Sequence, residues 1–188
     1  MNIFVTSKCP VECAVALADT HVVKMGTECL QMAVAALYRQ EIPLPLLPLN
    51  KSGKTYGNSH PRHPCTLWAG DTRGNYLWLI EHGIAICEEF TYRYGKRHGV
   101  HDNLYILRDL AHWIPEGEMT PFAVCMPDEY KVDCPHESYR NFYIIGKQSA
   151  YNGRGLEWAK NRSPPNWYVI GFRVSLEKEE SIGTVYAA

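Results

Sequence analysis

Several signatures are missing from this chain of 188 residues, and each absence removes a class of protein. Its seven cysteines are odd in number and irregularly spaced, with no CxxC pair, which argues against a zinc ribbon or a thioredoxin-type redox site. No apolar run reaches the roughly 18 residues that a membrane span needs, so no membrane partner is expected. The opening MNIFVTSKCP lacks a basic stretch followed by an apolar one, so no secretory signal is expected. Reduced thiols in a cytoplasm, the host's if the gene is phage-borne, fit best. A formal net charge of −1 provides no global field that would draw the chain to nucleic acid, so any anionic partner must be met by a local patch. Repeats, low-complexity segments and linkers are absent too. The length suits one domain over residues 1–188.

What is present reads as helix. Asn2–Ser7 is a short extended segment, broken at Cys9-Pro10, and Pro10 suits the first turn of a following helix. That helix runs from about Val11 to Arg39 with a break expected near Asp19 or Gly26, since Asp19 can cap a fresh start. Pro43, Pro45 and Pro48 end it. A polar loop, Asn50–Pro64, contains Ser52-Gly53-Lys54-Thr55, but the first glycine of a phosphate-binding loop would fall at Pro48 and no strand precedes it, so that motif is rejected. A second long helix spans Trp68–Tyr94, capped by Asp71 or Thr72 and stopped at Gly95. Further helices are predicted over Asp102–Trp113 and Pro135–Ala150, and Tyr168–Val174 is the best strand candidate. The expected fold is mainly α: a compact single-domain helical fold with short N- and C-terminal extended segments.

The chemistry concentrates at Ala18–Glu28. Helical neighbours lie three and four residues apart, so His21, Lys24, Glu28 and Gln31 form one polar stripe on an otherwise apolar rod. Ionisable groups in apolar surroundings are costly unless partnered, and perturbed ones cluster where chemistry is done. Asp19, His21, Lys24 and Glu28 are therefore the candidate catalytic residues, expected to line one cavity with the second long helix, against the plain alternative of a solvated face. On that second helix Asn75, His82 and Glu89 are seven apart and share a face that Arg93 continues. In the loop, His60-Pro61-Arg62-His63-Pro64 could bind metal, but the prolines and the lack of an acidic partner argue for anion contact by Arg62 and His63 instead. Neither a metal nor a cofactor is expected. Arg140, Lys147, Arg154, Lys160, Arg162 and Arg173 face Glu157 alone in a stretch rich in Tyr and Trp. Basic residues interleaved with aromatics suit a phosphate backbone and an exposed base.

Ala18-Asp19-x-His21, with Glu28 seven residues after the histidine, resembles the first-helix motif of the phage pyrimidine-dimer DNA glycosylases of the endonuclease V type. The helix from Asn75-Tyr76 to Arg93-Tyr94-Gly95 is similar in place and character to their second long helix, and Trp167-Tyr168 to their aromatic C-terminal segment. Most of the chain also resembles a group of small phage and bacterial proteins that begin MNIFV and carry DKHVVKM-like and NHPC-like runs, here Asp19–Met25 and Arg62–Cys65. That second resemblance implies no activity. The first implies a mostly helical fold that bends DNA, an N-terminal amine that attacks a deoxyribose carbon, and a carboxylate, matched by Glu28, that steers ring opening. His21 and Asp19 match residues near that carboxylate.

One departure bears on the amine. The family exposes it on a small residue by removing Met, whereas here the second residue is the bulkier Asn2 and the N-terminal arm is a few residues longer. Two substitutes are available: Lys24, if burial lowers its pKa, or water activated by Glu28.

Together these features point to a DNA-base-directed enzyme, a glycosylase-like hydrolase or lyase that cleaves or exchanges an N-glycosidic bond on a flipped nucleotide. DNA or a nucleotide is the expected partner. Glu28 would stand near the developing sugar cation, with His21, Asn75 or His82 as donors to the departing base. Trp68 and Trp78 would line the pocket, and Arg62, Arg93, Arg140 and Lys147 would grip phosphates. The rivals are a transferase that modifies phage DNA or nucleotides, and a non-catalytic phage protein that binds nucleic acid or a host protein.

Overall fold

A computed structural model describes residues 1–147 and 155–185, with side-chain surroundings as far as 175. Seven α-helices are described: α1 (Pro10–Ala16), α2 (Asp19–Arg39), α3 (Pro64–Asp71), α4 (Arg73–Tyr94), α5 (His101–Asp109), α6 (Pro135–Asn141) and α7 (Asn166–Val185). Among the described residues there is no strand, only an isolated antiparallel bridge between Leu49 and Thr55.

Proline and polar caps set the starts. Pro10, Pro64 and Pro135 stand in the first turns of α1, α3 and α6, where the missing N–H costs nothing. The expected break near Asp19 falls at Leu17-Ala18, whose backbone is extended. The N–H groups freed there are partnered from a distance: Ala18 N donates to Tyr143 Oη at 2.7 Å, and Asp19 N to the Glu157 carbonyl at 2.9 Å. The second long helix is likewise divided, at Thr72, whose Oγ1 accepts the Asn75 N–H at 3.2 Å and caps α4. Gly95, at φ +66°, closes α4 in the left-handed conformation.

The core is the crossing of α2 with α4. Cys29, Leu30, Met32, Ala33, Val34 and Leu37 on α2, and Tyr76, Leu79, Ile80, Ile86 and Cys87 on α4, are all fully buried. Glycine lets the rods approach. A Cβ at Gly83 would stand 2.9 Å from Cys29 Cβ, and one at Gly26 would stand 3.0 Å from Cys87 Sγ. α3 packs across α2, α5 lies against α4, and the buried arm Ile3-Phe4-Val5 is tucked beneath.

Two expectations are corrected. Tyr168–Val174 is helical, the opening of α7, not a strand. Its aromatic and β-branched content suggests a strand, but Tyr168 N and Val169 N both bond the Pro165 carbonyl. The helix then stacks Tyr168 on Phe172, with planes 10° apart, and packs Tyr168 on Trp158 at 4.6 Å. Tertiary packing thus outweighs local strand propensity. The helix expected over Pro135–Ala150 is α-helical only to Asn141. It continues as a π-turn over Phe142–Gly146, and its last residues, with Arg154 beyond, lie outside the described residues.

Because a Cβ at Gly83 would lie within 3.2 Å of Cys29 Cβ and both Leu104 methyls, Gly83→Ala is expected to destabilise the fold by about 1–3 kcal/mol. Urea denaturation with an unchanged slope would measure it; a neutral or stabilising result would show that the helices can move apart freely.

Candidate functional site

His21, Lys24, Met25 and Glu28 form one wall of a pocket of about 390 Å³, within the size range of small-ligand sites. The opposite walls come from far along the chain: Met1, Asn2 and Phe4 of the arm, Cys125-Met126-Pro127 of the irregular segment before α6, and Phe142 and Lys147 of the π-turn.

Glu28 is buried and gathers nitrogen. Its Oε2 accepts the Asn2 backbone N–H at 3.0 Å and lies 3.8 Å from the terminal amine of Met1. Its Oε1 pairs with Lys24 Nζ at 2.8 Å. The arm is bent to this place by Asn2, whose Oδ1 accepts the N–H groups of Ile3 and Phe4 at 2.8 and 3.0 Å. Its Nδ2 donates to the Cys125 carbonyl at 2.9 Å. Phe4 sits at φ +40°, a conformation that costs a bulky residue on the order of 1–3 kcal/mol. Burial of its ring offsets that strain; the ring lies 4.7 Å from His21 and 5.2 Å from Tyr143.

His21 is buried, and its pKa falls to about 3 because burial disfavours the imidazolium and the charges of Lys147 and Lys24 oppose it. Tyr143 Oη, which already accepts the Ala18 N–H, stands 2.6 Å from His21 Nδ1. In the tautomer with Nδ1 accepting the Tyr143 proton, the neutral ring carries its own proton on Nε2; in the other, Nδ1 donates to Tyr143 Oη. Lys147 Nζ lies over the rings of Phe142 and Phe4, at 4.8 and 5.4 Å. Burial lowers its pKa, Lys24 adds to the effect, and Glu28 opposes it. Three cationic nitrogens around one carboxylate make the pocket attractive to a phosphodiester.

The other sequence candidates lie elsewhere. Asp19 faces away from the pocket: its Oδ1 pairs with Arg93 Nη1 at 2.9 Å, and its Oδ2 accepts the Ala159 N–H at 2.8 Å. Arg93, fully buried, also bonds Glu89 at 2.6 Å and the Val15 carbonyl at 3.0 Å, and so is not available to a phosphate. Arg162 adds two bonds to Glu89, at 2.7 and 2.8 Å. Burial pushes the Glu89 carboxyl up, but the bonds to Arg162 and Arg93 outweigh it and hold its pKa below the usual range.

Among the described residues, Asn75, His82 and Trp68 of the expected shared hollow do not line the pocket that holds His21, Lys24 and Glu28. Asn75 is consumed by the Trp68 carbonyl and Thr120. His82 bonds the Pro10 carbonyl at 3.0 Å and lies beside Trp78 at 5.1 Å. Trp68 packs on Phe122 at 5.4 Å and Trp78 at 6.0 Å, as core. Arg140 bonds the Thr6 carbonyl at 2.9 Å and lies over Trp167, beside a separate groove. Arg62 is exposed, and His63 is half-buried near the amino terminus, whose charge helps burial lower its pKa. The Lys24 side chain is 68% exposed, so the burial that would prepare it as an amine nucleophile is missing. The residues by themselves did not point to the terminus, which only the resemblance implied, nor to Phe4, Phe142 and the 125–127 wall. The apolar run Ile3-Phe4-Val5 was the one local signal, marking an arm that must be buried.

A terminal amine beside a carboxylate of the first long helix is the arrangement that the resemblance implied. The model of the pyrimidine dimer DNA glycosylase family matches residues 1–102. The chain belongs to that family. No curated protein and no solved structure matches it significantly. The family's match spans the arm, α1 to α4 and Glu28, whereas the 125–127 wall, Phe142 and Lys147 come from beyond it. Membership in a DNA glycosylase family implies DNA as the substrate, and no helix among the described residues is long and apolar enough to cross a membrane.

Two predictions follow from these buried charges. His82, like His21, is held neutral: its pKa falls to about 4, chiefly through burial. Unfolded histidine titrates near pH 6.5. As the pH drops from about 6.5 toward 4, the unfolded chain binds the extra protons, and stability should fall by up to about 1.4 kcal/mol per pH unit for each ring. Chemical denaturation across that range should show the slope, and His82→Gln or His21→Gln should flatten it; an unchanged slope in both variants would contradict the assignment. Arg93→Met takes the guanidinium from Asp19 and leaves Glu89 to Arg162, and should cost about 3–5 kcal/mol in the same assay.

Proposed function

We propose that the protein is a DNA N-glycosylase that uses its own terminal amine as the nucleophile against a nucleotide turned out of the duplex. The observation that carries this is the approach of the Met1 amine to within 3.8 Å of Glu28 Oε2. Retention of Met1 does not defeat the chemistry. If Met1 is kept, its amine stands at the carboxylate; if it is removed, the amine of Asn2 stands there instead, its nitrogen 3.0 Å away. The longer arm is absorbed by the bend at Asn2 and Phe4.

In this reading the amine adds to C1′ as the C1′–N bond to the base breaks. The base leaves with the bonding electrons, steadied by a hydrogen bond from His21 Nε2, and takes its proton from water. Glu28 takes the proton shed by the amine and returns it to the ring oxygen as C1′–O4′ opens, which leaves an imine between enzyme and sugar. Glu28, again a carboxylate, then takes a C2′ proton, and the electron pair so released expels the 3′ phosphate and cuts the strand. Phe4 and Phe142 offer faces to an extruded base, and Lys24, Lys147 and Arg62 offer charge to the flanking phosphates. Asp19 and Arg93 hold the α1–α2 junction that aims His21.

The test is borohydride trapping on a duplex containing a pyrimidine dimer and on one containing an abasic site. A covalent protein–DNA product is expected on both. It should be lost when the amine is blocked by a short N-terminal extension, while DNA affinity stays within a few-fold. Glu28→Gln should lower turnover by about 10²-fold or more and leave affinity unchanged. No product with the native chain, or an undiminished product with the blocked one, would refute the amine as nucleophile.

A further inference from the structure

A second cluster lies beside the pocket and plays no part in the reaction proposed above. His63 ends the loop ahead of α3, Cys65 is the second residue of that helix, and Cys125 belongs to the irregular segment before α6. One imidazole nitrogen and two sulfurs from these residues all lie within 4.8 Å of one another. His63 Nε2 is 3.4 Å from Cys125 Sγ. A tetrahedral zinc ion, with bonds of about 2.3 Å to sulfur and 2.0 Å to nitrogen, holds its donors about 3.5–3.8 Å apart, so the cluster needs little movement to close on one. Cys65 is buried and the other two are half-buried, as befits a site reached from the surface but anchored below it.

The donor set selects the ion. Two thiols and an imidazole, with no carboxylate among them, suit soft or borderline cations and disfavour magnesium and calcium. We propose that His63, Cys65 and Cys125 bind a thiophilic cation, zinc before others, and leave a fourth position for water or another small ligand. Two thiolates and a neutral ring balance a dication, and the two thiol protons are released as it binds. In the cation-free protein His63 Nδ1 accepts the Cys65 N–H at 3.2 Å, so the ring proton sits on Nε2, facing the sulfur. Binding moves that proton to Nδ1 and gives up this weak cap; Pro64, already in the first turn, keeps α3 started without it.

The consequence is positional. The Cys125 carbonyl is the acceptor for Asn2 Nδ2. A cation that ties Cys125 to α3 fastens the wall against which the amino-terminal arm is bent, without touching the reacting atoms. The site stands on these three residues whether or not the terminal amine is the nucleophile.

The experiment is a zinc titration of the full-length, fully reduced, chelator-treated protein in competition with a chromophoric chelator. Cobalt(II) then serves as a spectroscopic probe. Uptake of one equivalent is expected, with thiolate-to-cobalt charge-transfer bands, tetrahedral d–d bands and a rise in melting temperature with zinc. His63→Gln and Cys125→Ser should each weaken zinc binding by at least the roughly 10–100-fold that follows loss of an outer-shell partner. Cys134→Ser, a half-buried cysteine outside the cluster, should leave it unchanged. Cys65 is buried, so its variant could fail for structural reasons; the two half-buried ligands therefore carry the test, with helicity checked by circular dichroism. Zinc binding no tighter in the native chain than in Cys125→Ser would overturn the proposal. So would binding that survives both variants, or a Cys65–Cys125 pair that only oxidises and takes up no cation once reduced.

Discussion

Glu28 is a largely buried carboxylate, and the need to partner it organises the pocket. A charge removed from water must be repaid in bonds to cations and N–H groups. The fold supplies the amino end of its own chain and a lysine one turn away. Because the terminus is the partner, the arm has to double back under α2, which in turn requires the polar hook of Asn2 and the left-handed backbone of Phe4. The Phe4 ring then becomes the floor beside His21. In the proposed reaction stability and chemistry are thus joined: the group that steadies the carboxylate is also the nucleophile.

A second buried charge network keeps this arrangement in register. Arg93 joins the α1–α2 junction to α4 through Asp19, Glu89 and the Val15 carbonyl, and Arg162 closes the network from the segment ahead of α7. The residues of this network looked like site residues because they are ionisable, helical and close in spacing to the His21–Lys24–Glu28 stripe. Paired charges inside a protein are as often structural as reactive, and only the identity of the partner separates the two. Glu28 faces an amine beside a cavity, whereas Asp19 faces a guanidinium beneath packed side chains.

Local rules made much of the architecture readable. Pro10, Thr72 and Gly95 each act on their own backbone within a turn or two, so the start of α1 and the cap and end of α4 could be placed from the chain alone, whereas the division of Trp68–Tyr94 into α3 and α4 was not foreseen. The His21–Lys24–Glu28 stripe was readable for the same reason, since helical spacing is local. Tyr168–Val174 was misread because its residue types favour a strand and its helical form depends on Trp158 and Tyr143, which lie distant in the chain. Asn75, His82 and Arg93 do share a face of α4 as their spacing requires. What that face meets, whether Thr120, Pro10 or Asp19, is not a property of spacing.

The order of residues determined a helical chain, its breaks, and one polar stripe with a carboxylate on it, because caps, prolines and periodicity act over a few residues. Tertiary structure alone decided that the stripe meets the chain's own terminus rather than the second long helix. It also brought Cys125, Phe142 and Lys147 to the opposite wall. Those contacts join residues separated by much of the chain, and they are selected by the burial of the whole core, a sum that no short stretch of sequence carries.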